Sequence, residues 1–153
     1  MALFLTLRIG TDYYALAGAD VVEVLPLVNL KSFPQAPLGI AGLFDYRGAT
    51  IPVVDLTLLA MGANSNVSMT TRIAVLNYAP VGSDGNLLGV MAEEMTDTFH
   101  AAAEDFVVTG VDAPQAAYLG PVMKRGERIV QRVDVSQLLS PEVRESLYKS
   151  LMN

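Results

Sequence analysis

The sequence of 153 residues has no cysteine and no tryptophan, and its only histidine is His100. Without cysteine there can be no disulfide, no thiolate metal site and no cysteine nucleophile. With a single histidine, a zinc site built on several histidines and a conventional catalytic triad are both hard to assemble. We therefore expect no catalytic residue, no metal site and no required cofactor, and we place His100 on the surface or in a loop.

Positive charge is also scarce, because 10 lysine and arginine residues stand against 16 aspartate and glutamate residues, for a net charge of −6. A nucleic-acid-binding protein normally has a basic excess or a basic stripe, so we expect no nucleic acid among the partners. Charged residues make up only 17% of the chain and apolar residues 52%. This composition excludes a disordered chain and indicates that some apolar surface is kept for partners.

Long hydrophobic runs are missing as well. The longest apolar stretch, residues 15–30, is interrupted by Asp20, Glu23 and Pro26, and it is too broken to span a bilayer. The apolar residues 3–7 are not preceded by the basic segment of a secretory signal. We expect a soluble, cytoplasmic protein without direct membrane insertion, organised as one domain over residues 1–153.

What the sequence does contain is the pattern of short strands. Every second residue from Leu3 to Ile9 is apolar, which predicts a strand with one face in the core. Two apolar runs, residues 42–47 and 49–55, meet at Arg47 and Gly48 and predict a tight hairpin. Further strands are expected at residues 13–16, 21–33, 72–78, 86–92, 117–123 and 128–135. About nine or ten short strands with little helix are typical of closed β-barrels.

Helix signals are few and lie mainly at the end of the chain. Asp55 is placed to cap a short helix, and a Ser-Pro pair at residues 140–141 marks the start of a C-terminal helix. That helix carries an apolar stripe of Val143, Leu147 and Leu151, which needs an apolar surface to cover it. Weaker signals predict a helical turn capped by Asp20, a short helix over residues 37–41, a mobile loop at residues 62–68 and a turn at Asp84 and Gly85.

Single charged residues inside apolar runs are the candidates for function. Arg47 lies between an apolar strand and a glycine, where its guanidinium must reach solvent or find a partner; Asp45 and Asp55 are the nearest carboxylates in the sequence. Glu23 is a lone carboxylate in an apolar run and can point into water by alternation. Two charged clusters are interpreted as solvated surface, namely Glu93, Glu94 and Asp97 at a strand end and Lys124, Arg125 and Arg128 at a hairpin tip.

One segment resembles a known family. Residues 42–56, GLFDYRGATIPVVDL, are similar to the G-x-x-x-x-R-G-x-x-x-P-V-x-D-L signature of CheW-type coupling proteins of bacterial chemosensory arrays. Segments before and after it fall in the expected order, so the resemblance covers essentially the whole chain. It implies a mainly β fold of two intertwined five-stranded SH3-like β-barrels, with short helices and a C-terminal helix.

The resemblance also implies a non-catalytic adaptor. Such proteins join the cytoplasmic tip of methyl-accepting receptors, held in the groove between the barrels, to the regulatory domain of a CheA-type histidine kinase. Asp45 and Tyr46 stand where many relatives carry Asn and Leu, so a non-flagellar or auxiliary system is an alternative, as is a stand-alone regulatory module of the same fold. A small-ligand β-barrel is the remaining alternative. The partner-binding positions that the resemblance implies are Val21, Glu23, Gly42, Arg47, Ile73, Gly89 and Met95.

Overall fold

The computed structural model describes residues 1–78, 86–109 and 116–152, with side chains up to residue 149. Over these residues the chain forms ten strands and two α-helices, joined by short 3₁₀ turns. The strands are β1 (Ala2–Ile9), β2 (Asp12–Ala17), β3 (Val21–Pro26), β4 (Ile40–Tyr46), β5 (Ala49–Asp55), β6 (Arg72–Tyr78), β7 (Asn86–Ala92), β8 (Glu94–Ala101), β9 (Leu119–Arg125) and β10 (Arg128–Val133). The helices are α1 (Leu56–Met61) and α2 (Pro141–Met152).

The strands form two five-stranded sheets with the same internal pattern. The first sheet has the order β8-β1-β2-β10-β9, and the second has the order β3-β6-β7-β5-β4. Each contains one parallel pair, β2 with β10 and β5 with β7, while the other neighbours are antiparallel. Because the first sheet takes both ends of the chain and the second takes the middle, the two are intertwined. The predicted fold class is confirmed.

Each sheet curls so that its own two outer strands approach each other. In the second sheet, Lys31, which follows β3, bridges to Leu43 on β4 through N···O distances of 2.8 and 2.9 Å. In the first sheet, Val107, which follows β8, bridges to Val122 on β9 through distances of 2.7 and 2.9 Å. Strong curling is what a small barrel requires, so both bridges agree with the predicted architecture.

In each sheet a hairpin ends in an aspartate that bonds back to the residue before the hairpin. Asp55, the last residue of β5, donates its backbone N–H to the carbonyl of Gly39 (2.8 Å), and Asp134, just after β10, donates to the carbonyl of Tyr118 (2.7 Å). Each aspartate side chain then caps the helical turn that follows it. The β4–β5 and β9–β10 hairpins are therefore equivalent parts of the two sheets.

The largest apolar cluster lies between the two sheets and is shared by them. Leu7 and Leu16 of the first sheet pack there with Leu76 and Val90 of the second, all fully buried. Helix α2 docks onto the same cluster through Leu147, as its apolar stripe predicts. Smaller clusters fill the interior of each sheet, with phenylalanines in the first and mainly aliphatic residues in the second.

Several local predictions are wrong, and each has a physical reason. Residues 37–41 do not form a helix, because Gly39 has a φ of 92° and β4 begins at Ile40. Asp20 ends a 3₁₀ turn at Gly18–Asp20 rather than capping a turn after it. Strand β3 ends at Pro26, well before residue 33. The predicted turn at residues 84–85 and the side chain of Leu151 lie outside the described residues.

Candidate partner-binding surface

The turn between β4 and β5 sets the direction of Arg47. Its central residues, Arg47 and Gly48, have φ values of 51° and 89°, the pair of positive φ angles that a two-residue type I′ hairpin needs. Asp45 supports the turn, since its Oδ1 accepts a hydrogen bond from the Gly48 N–H at 2.8 Å. A left-handed conformation costs a non-glycine residue about 1–2 kcal/mol. The turn therefore holds Arg47 in a strained conformation that aims its side chain toward strand β3.

Glu23 on β3 is the partner of this arginine. Arg47 Nη2 lies 3.2 and 3.1 Å from the two carboxylate oxygens of Glu23. The Tyr46 hydroxyl donates to Glu23 Oε2 at 2.8 Å, and the guanidinium carbon of Arg47 lies 5.2 Å from the centre of the Tyr46 ring. We call Glu23, Tyr46 and Arg47 the carboxylate–arginine cluster; it joins the two outer strands of the second sheet.

The carboxylate that pairs with Arg47 is thus neither of the two that are nearest in the sequence, Asp45 and Asp55. Asp45 instead caps the turn, and Asp55 is buried at the start of α1. Both were nearest in sequence, whereas Glu23 comes within reach only because curling of the sheet brings β3 up to the β4–β5 turn. The hydrogen bond to the Glu23 carboxylate raises the pKa of Tyr46 above its usual range, so the phenol stays protonated as a donor.

The cluster is accessible to a partner. The side chain of Arg47 is 73% exposed and that of Glu23 is 34% exposed. An exposed ion pair contributes at most about 1 kcal/mol to folding, because water screens both charges. The cluster therefore contributes little to the stability of the fold. Donors and acceptors on its outer side remain open to another molecule.

The strand that carries Glu23 also presents an apolar stripe. Val22 and Val24 on β3 are 45% and 39% exposed, and Val28 just beyond the strand is 36% exposed. Along β3 exposed and half-buried residues alternate, and the half-buried Val21 packs against the shared core. We call Val22, Val24 and Val28 the valine stripe. Apolar residues exposed in a row on an outer strand are typical of a surface that another protein covers.

The two glycines implied by the resemblance, Gly42 and Gly89, lie at close contacts in the second sheet. A Cβ added at Gly42 would lie 2.6 Å from the carbonyl oxygen of Lys31, so no side chain fits beside that bridge. A Cβ at Gly89 would lie 3.0 Å from a methyl group of Val53 and 3.2 Å from one of Ile73. Both glycines allow strands to approach closely, which shapes the second sheet from inside.

Ile73 and Met95 are placed differently from what a direct contact would need. Ile73 is 0% exposed inside the second sheet, and Met95 is 2% exposed in the cluster between the sheets. Neither side chain has a surface for a partner to touch, because both lie on inward faces of their strands. Of the seven implied positions, the structure brings only Glu23 and Arg47 into contact through polar groups and places Val21 on the same strand as Glu23.

Two buried carboxylates organise the loop after α1. Asp55 is 1% exposed and caps α1 as predicted, accepting from Thr57 N at 3.1 Å, while Ser65 donates to it through both its N–H (2.9 Å) and its hydroxyl (2.6 Å). Glu93 is 5% exposed and accepts from the backbone N–H groups of Gly10 (2.9 Å) and Asn66 (2.8 Å). These two backbone donors lower the pKa of Glu93. The interpretation of Glu93 as a solvated strand end is therefore wrong, and the loop predicted as mobile is anchored at Ser65 and Asn66.

Sequence reasoning missed Tyr46, Val22 and Val24. The tyrosine gave only a weak signal, as a polar-tipped aromatic at the end of an apolar strand beside Arg47. The valines follow a period of two, which is the same for a stripe that faces the core and for one that faces outward. In residues 1–78, 86–109 and 116–149, no group of three or more His, Asp or Glu side chains is arranged to hold a metal ion. No helix in the described part of the chain is long and apolar enough to cross a membrane.

Comparison with known proteins shows the family and the fold of the chain. A chemotaxis protein CheW from Klebsiella aerogenes is 25% identical over 145 residues, which span 91% of this chain and 82% of that protein. Protein FrzA from Myxococcus xanthus is 26% identical over 140 residues, which span 89% of this chain and 84% of FrzA. The crystal structure of the scaffolding protein TtCheW from Thermoanaerobacter tengcongensis superposes with a TM-score of 0.80 at 19% identity, over 95% of this chain and 92% of that one, and shows the same fold. The sequence model of the CheW-like domain matches residues 3–143, and the chain therefore belongs to the CheW-like family.

Proposed function

We propose that this protein is a non-catalytic adaptor that couples the cytoplasmic tips of methyl-accepting chemoreceptors to the regulatory domain of a CheA-type histidine kinase. It acts in the cytoplasm, recruited to membrane-associated receptor arrays. The observation that carries the proposal is the carboxylate–arginine cluster, because the arginine of the family signature and the implied glutamate form one exposed polar surface. Relatives over most of the chain are named chemotaxis proteins.

The cluster suits the kinase side of this adaptor. The kinase regulatory domain is expected to have the same fold and to pack barrel to barrel, so each partner would present the outside of a curled sheet. Glu23 and Arg47 lie where the outer strands of the second sheet meet, and a fork-shaped guanidinium can add a bond to a carboxylate or carbonyl of another chain.

The valine stripe suits the receptor side. A receptor tip is a helical hairpin, and a helix docks by laying an apolar face against an apolar groove. Val22 and Val24 are exposed on the strand next to the layer between the two sheets, where Val21 already packs against the shared core. The interior of the second sheet is filled by its own side chains, including Val53, Val75 and Met91. That filling disfavours the alternative of a small-ligand barrel.

Replacing Arg47 by alanine should weaken binding to the kinase regulatory domain by about 1–3 kcal/mol, or roughly 5- to 150-fold, the loss expected for a charge-assisted hydrogen bond. The unfolding free energy should change by less than about 1 kcal/mol, because the pair with Glu23 is exposed. Glu23→Ala should alter the association rate and its salt dependence more than stability. Binding is measured by titration calorimetry against kinase-domain and receptor-tip fragments separately, with unfolding midpoints taken in parallel.

Lys149→Ala is the matched control, since it removes a positive charge on the exposed side of α2. It should bind both fragments like the parent. If Arg47→Ala and Glu23→Ala also bind both fragments like the parent, these two positions do not belong to a partner surface in this protein.

A further inference from the structure

The β9–β10 hairpin concentrates the positive charge of a protein that is acidic overall. Residues 119–133 contain four of the 10 basic residues, Lys124, Arg125, Arg128 and Arg132, but only one of the 16 acidic residues, Glu127. The remainder of the chain holds six basic residues against fifteen acidic ones. The sign of the charge therefore reverses at this one hairpin, which we call the cationic hairpin.

Its three arginines lie over aromatic rings of the first sheet. The guanidinium carbons of Arg125 and Arg128 lie 4.3 Å from the centre of the Phe99 ring and 4.2 Å from that of Tyr13. Arg132 lies 5.3 Å from the ring centre of Phe4. Stacking on a ring uses the face of a guanidinium and leaves the N–H groups along its edge free to bind an acceptor. Arg125 and Arg128 thus each contact a ring and still have N–H groups that can bind an acceptor.

The equivalent hairpin of the second sheet, β4–β5, has a carboxylate partner for its arginine that the tip of the cationic hairpin lacks among the described residues. In that sheet the outer strand β3 supplies Glu23, which neutralises the hairpin arginine, Arg47. In the first sheet the corresponding outer strand β8 supplies Phe99 to Arg125 instead. Over the described ranges the salt bridges are Arg8–Glu94 and Arg47–Glu23, so no carboxylate there pairs with Arg125 or Arg128.

Arg132 is in a different position from the other two arginines. A carboxylate of the same chain, Asp20, interacts with its charge. Both residues line a cleft of about 250 Å³ between β9 and β10 and the segment before β3. The uncompensated charge is therefore at the tip of the hairpin, on Arg125 and Arg128, where both side chains are exposed.

An open depression of about 640 Å³ lies at that tip, lined by Arg125, Gly126, Glu127 and Arg128. Beside Arg128 is Ile129, which is 66% exposed, and its cross-strand neighbour is Lys124. We propose that the cationic hairpin is a docking surface for an acidic segment of a partner protein, one in which closely spaced carboxylates accompany an apolar side chain. This surface is on the first sheet, is separate from the carboxylate–arginine cluster, and goes beyond the adaptor function proposed above.

Charge complementarity selects a short acidic protein segment over other anions. Acidic residues outnumber basic ones by fifteen to six in the rest of the chain, so an extended polyanion such as nucleic acid meets net repulsion there. A planar guanidinium matches a carboxylate through two parallel hydrogen bonds. The exposed Ile129 gives an apolar contact that inorganic phosphate cannot use.

The test uses the full chain and a fluorescein-labelled peptide of alternating Glu-Glu-Leu units, with a matched peptide in which Gln replaces Glu. Fluorescence anisotropy at low salt should show the Glu peptide binding at least about tenfold more tightly than the Gln peptide, and added salt should weaken it. The double variant Arg125→Ala, Arg128→Ala should lose about tenfold or more in affinity. Glu127→Gln should bind more tightly than the parent, and Lys149→Ala should bind like it.

Any one of four results would overturn the proposal. Equal binding of the two peptides, or unchanged binding by the double variant, would show that the hairpin does not recognise carboxylates. Inorganic phosphate is also titrated into the peptide complexes of the parent and of Lys149→Ala. Displacement of the peptide from both proteins at the same phosphate concentration would assign the site to phosphate. Self-association of the parent in sedimentation equilibrium, lost in the double variant, would make the occupant a second copy of the chain.

A conservative variant keeps the test valid if the alanine variant does not fold. Arg125→Lys, Arg128→Lys retains both charges but cannot form the paired hydrogen bonds of a guanidinium, so it should bind the Glu peptide more weakly than the parent. Binding equal to the parent would show that charge alone, without the stacked geometry, explains the effect, and would overturn the proposed mode of recognition.

Discussion

Replacing Asp55 by alanine is expected to lower the free energy of unfolding by about 3–5 kcal/mol. The loss of a helix N-cap accounts for about 1 kcal/mol. The larger part comes from Ser65, whose N–H and hydroxyl both donate to this carboxylate in a buried site, because an unsatisfied buried donor costs about 1–3 kcal/mol. Loss of Ser65 as an anchor should also free the loop after α1. Urea unfolding followed by circular dichroism measures the change.

Asp134→Ala is the internal control for this prediction. Asp134 occupies the equivalent position after β10 and caps a 3₁₀ turn, but it is exposed and its partners, the N–H and hydroxyl of Ser136, can be hydrated when it is removed. Its loss should cost about 1 kcal/mol. Equal destabilisation by the two substitutions would contradict the role assigned to the buried Ser65 contacts.

Leu147→Ala is expected to destabilise the protein by about 2–4 kcal/mol, the cost of removing a large apolar side chain from a packed core. Leu147 is 2% exposed and packs into the cluster shared by the two sheets. The next residue, Tyr148, stacks on Tyr78 at 6.1 Å and donates its hydroxyl to the carbonyl of Leu87 at 2.9 Å. Burial raises the pKa of Tyr148, in keeping with a phenol held inside this contact.

The matched control is Glu145→Ala, which changes an exposed residue on the same helix and should alter stability by less than about 0.5 kcal/mol. Thermal and urea midpoints of both variants are compared with those of the parent. An unchanged midpoint for Leu147→Ala would mean that α2 does not dock onto the sheets.

Local signals in the sequence predicted those parts of the fold whose cause is local. The β4–β5 hairpin was predicted from two apolar runs around Arg47 and Gly48, and its turn needs the positive φ that glycine adopts freely. The cap at Asp55 was predicted because an aspartate before an apolar run satisfies the first N–H groups of a helix. Strand alternation likewise predicted β1, where buried and half-buried residues alternate from Leu5 to Ile9.

Features that depend on curling of the sheets could not be predicted in this way. The contact between Glu23 and Arg47 joins residues 24 positions apart on strands that are not hydrogen-bonded neighbours. The carboxylate of Glu93 can be buried because two backbone N–H groups from distant segments, those of Gly10 and Asn66, donate to it. No pattern around residue 93 indicates these donors. The prediction that Gly39 lies in a helix failed because hydrophobic spacing does not encode a left-handed glycine.

The equivalent hairpins of the two sheets, β4–β5 and β9–β10, differ in how their arginines are paired. In the second sheet the hairpin arginine is neutralised by Glu23 and forms part of a polar surface beside the valine stripe. In the first sheet Arg125 and Arg128 lie over the rings of Phe99 and Tyr13 and form no salt bridge with a described residue. A repeated structural unit thus offers two chemically distinct surfaces on one small protein.

The central claim is that this protein joins receptor and kinase, and co-sedimentation tests it most directly. Membranes containing receptor are mixed with kinase, with and without the protein, and the kinase in the pellet is measured. We expect kinase to pellet with the membranes only when the parent protein is present, to pellet less with Arg47→Ala, and to pellet at the parental level with Lys149→Ala. Kinase recruitment that is the same with and without the protein would contradict the adaptor function.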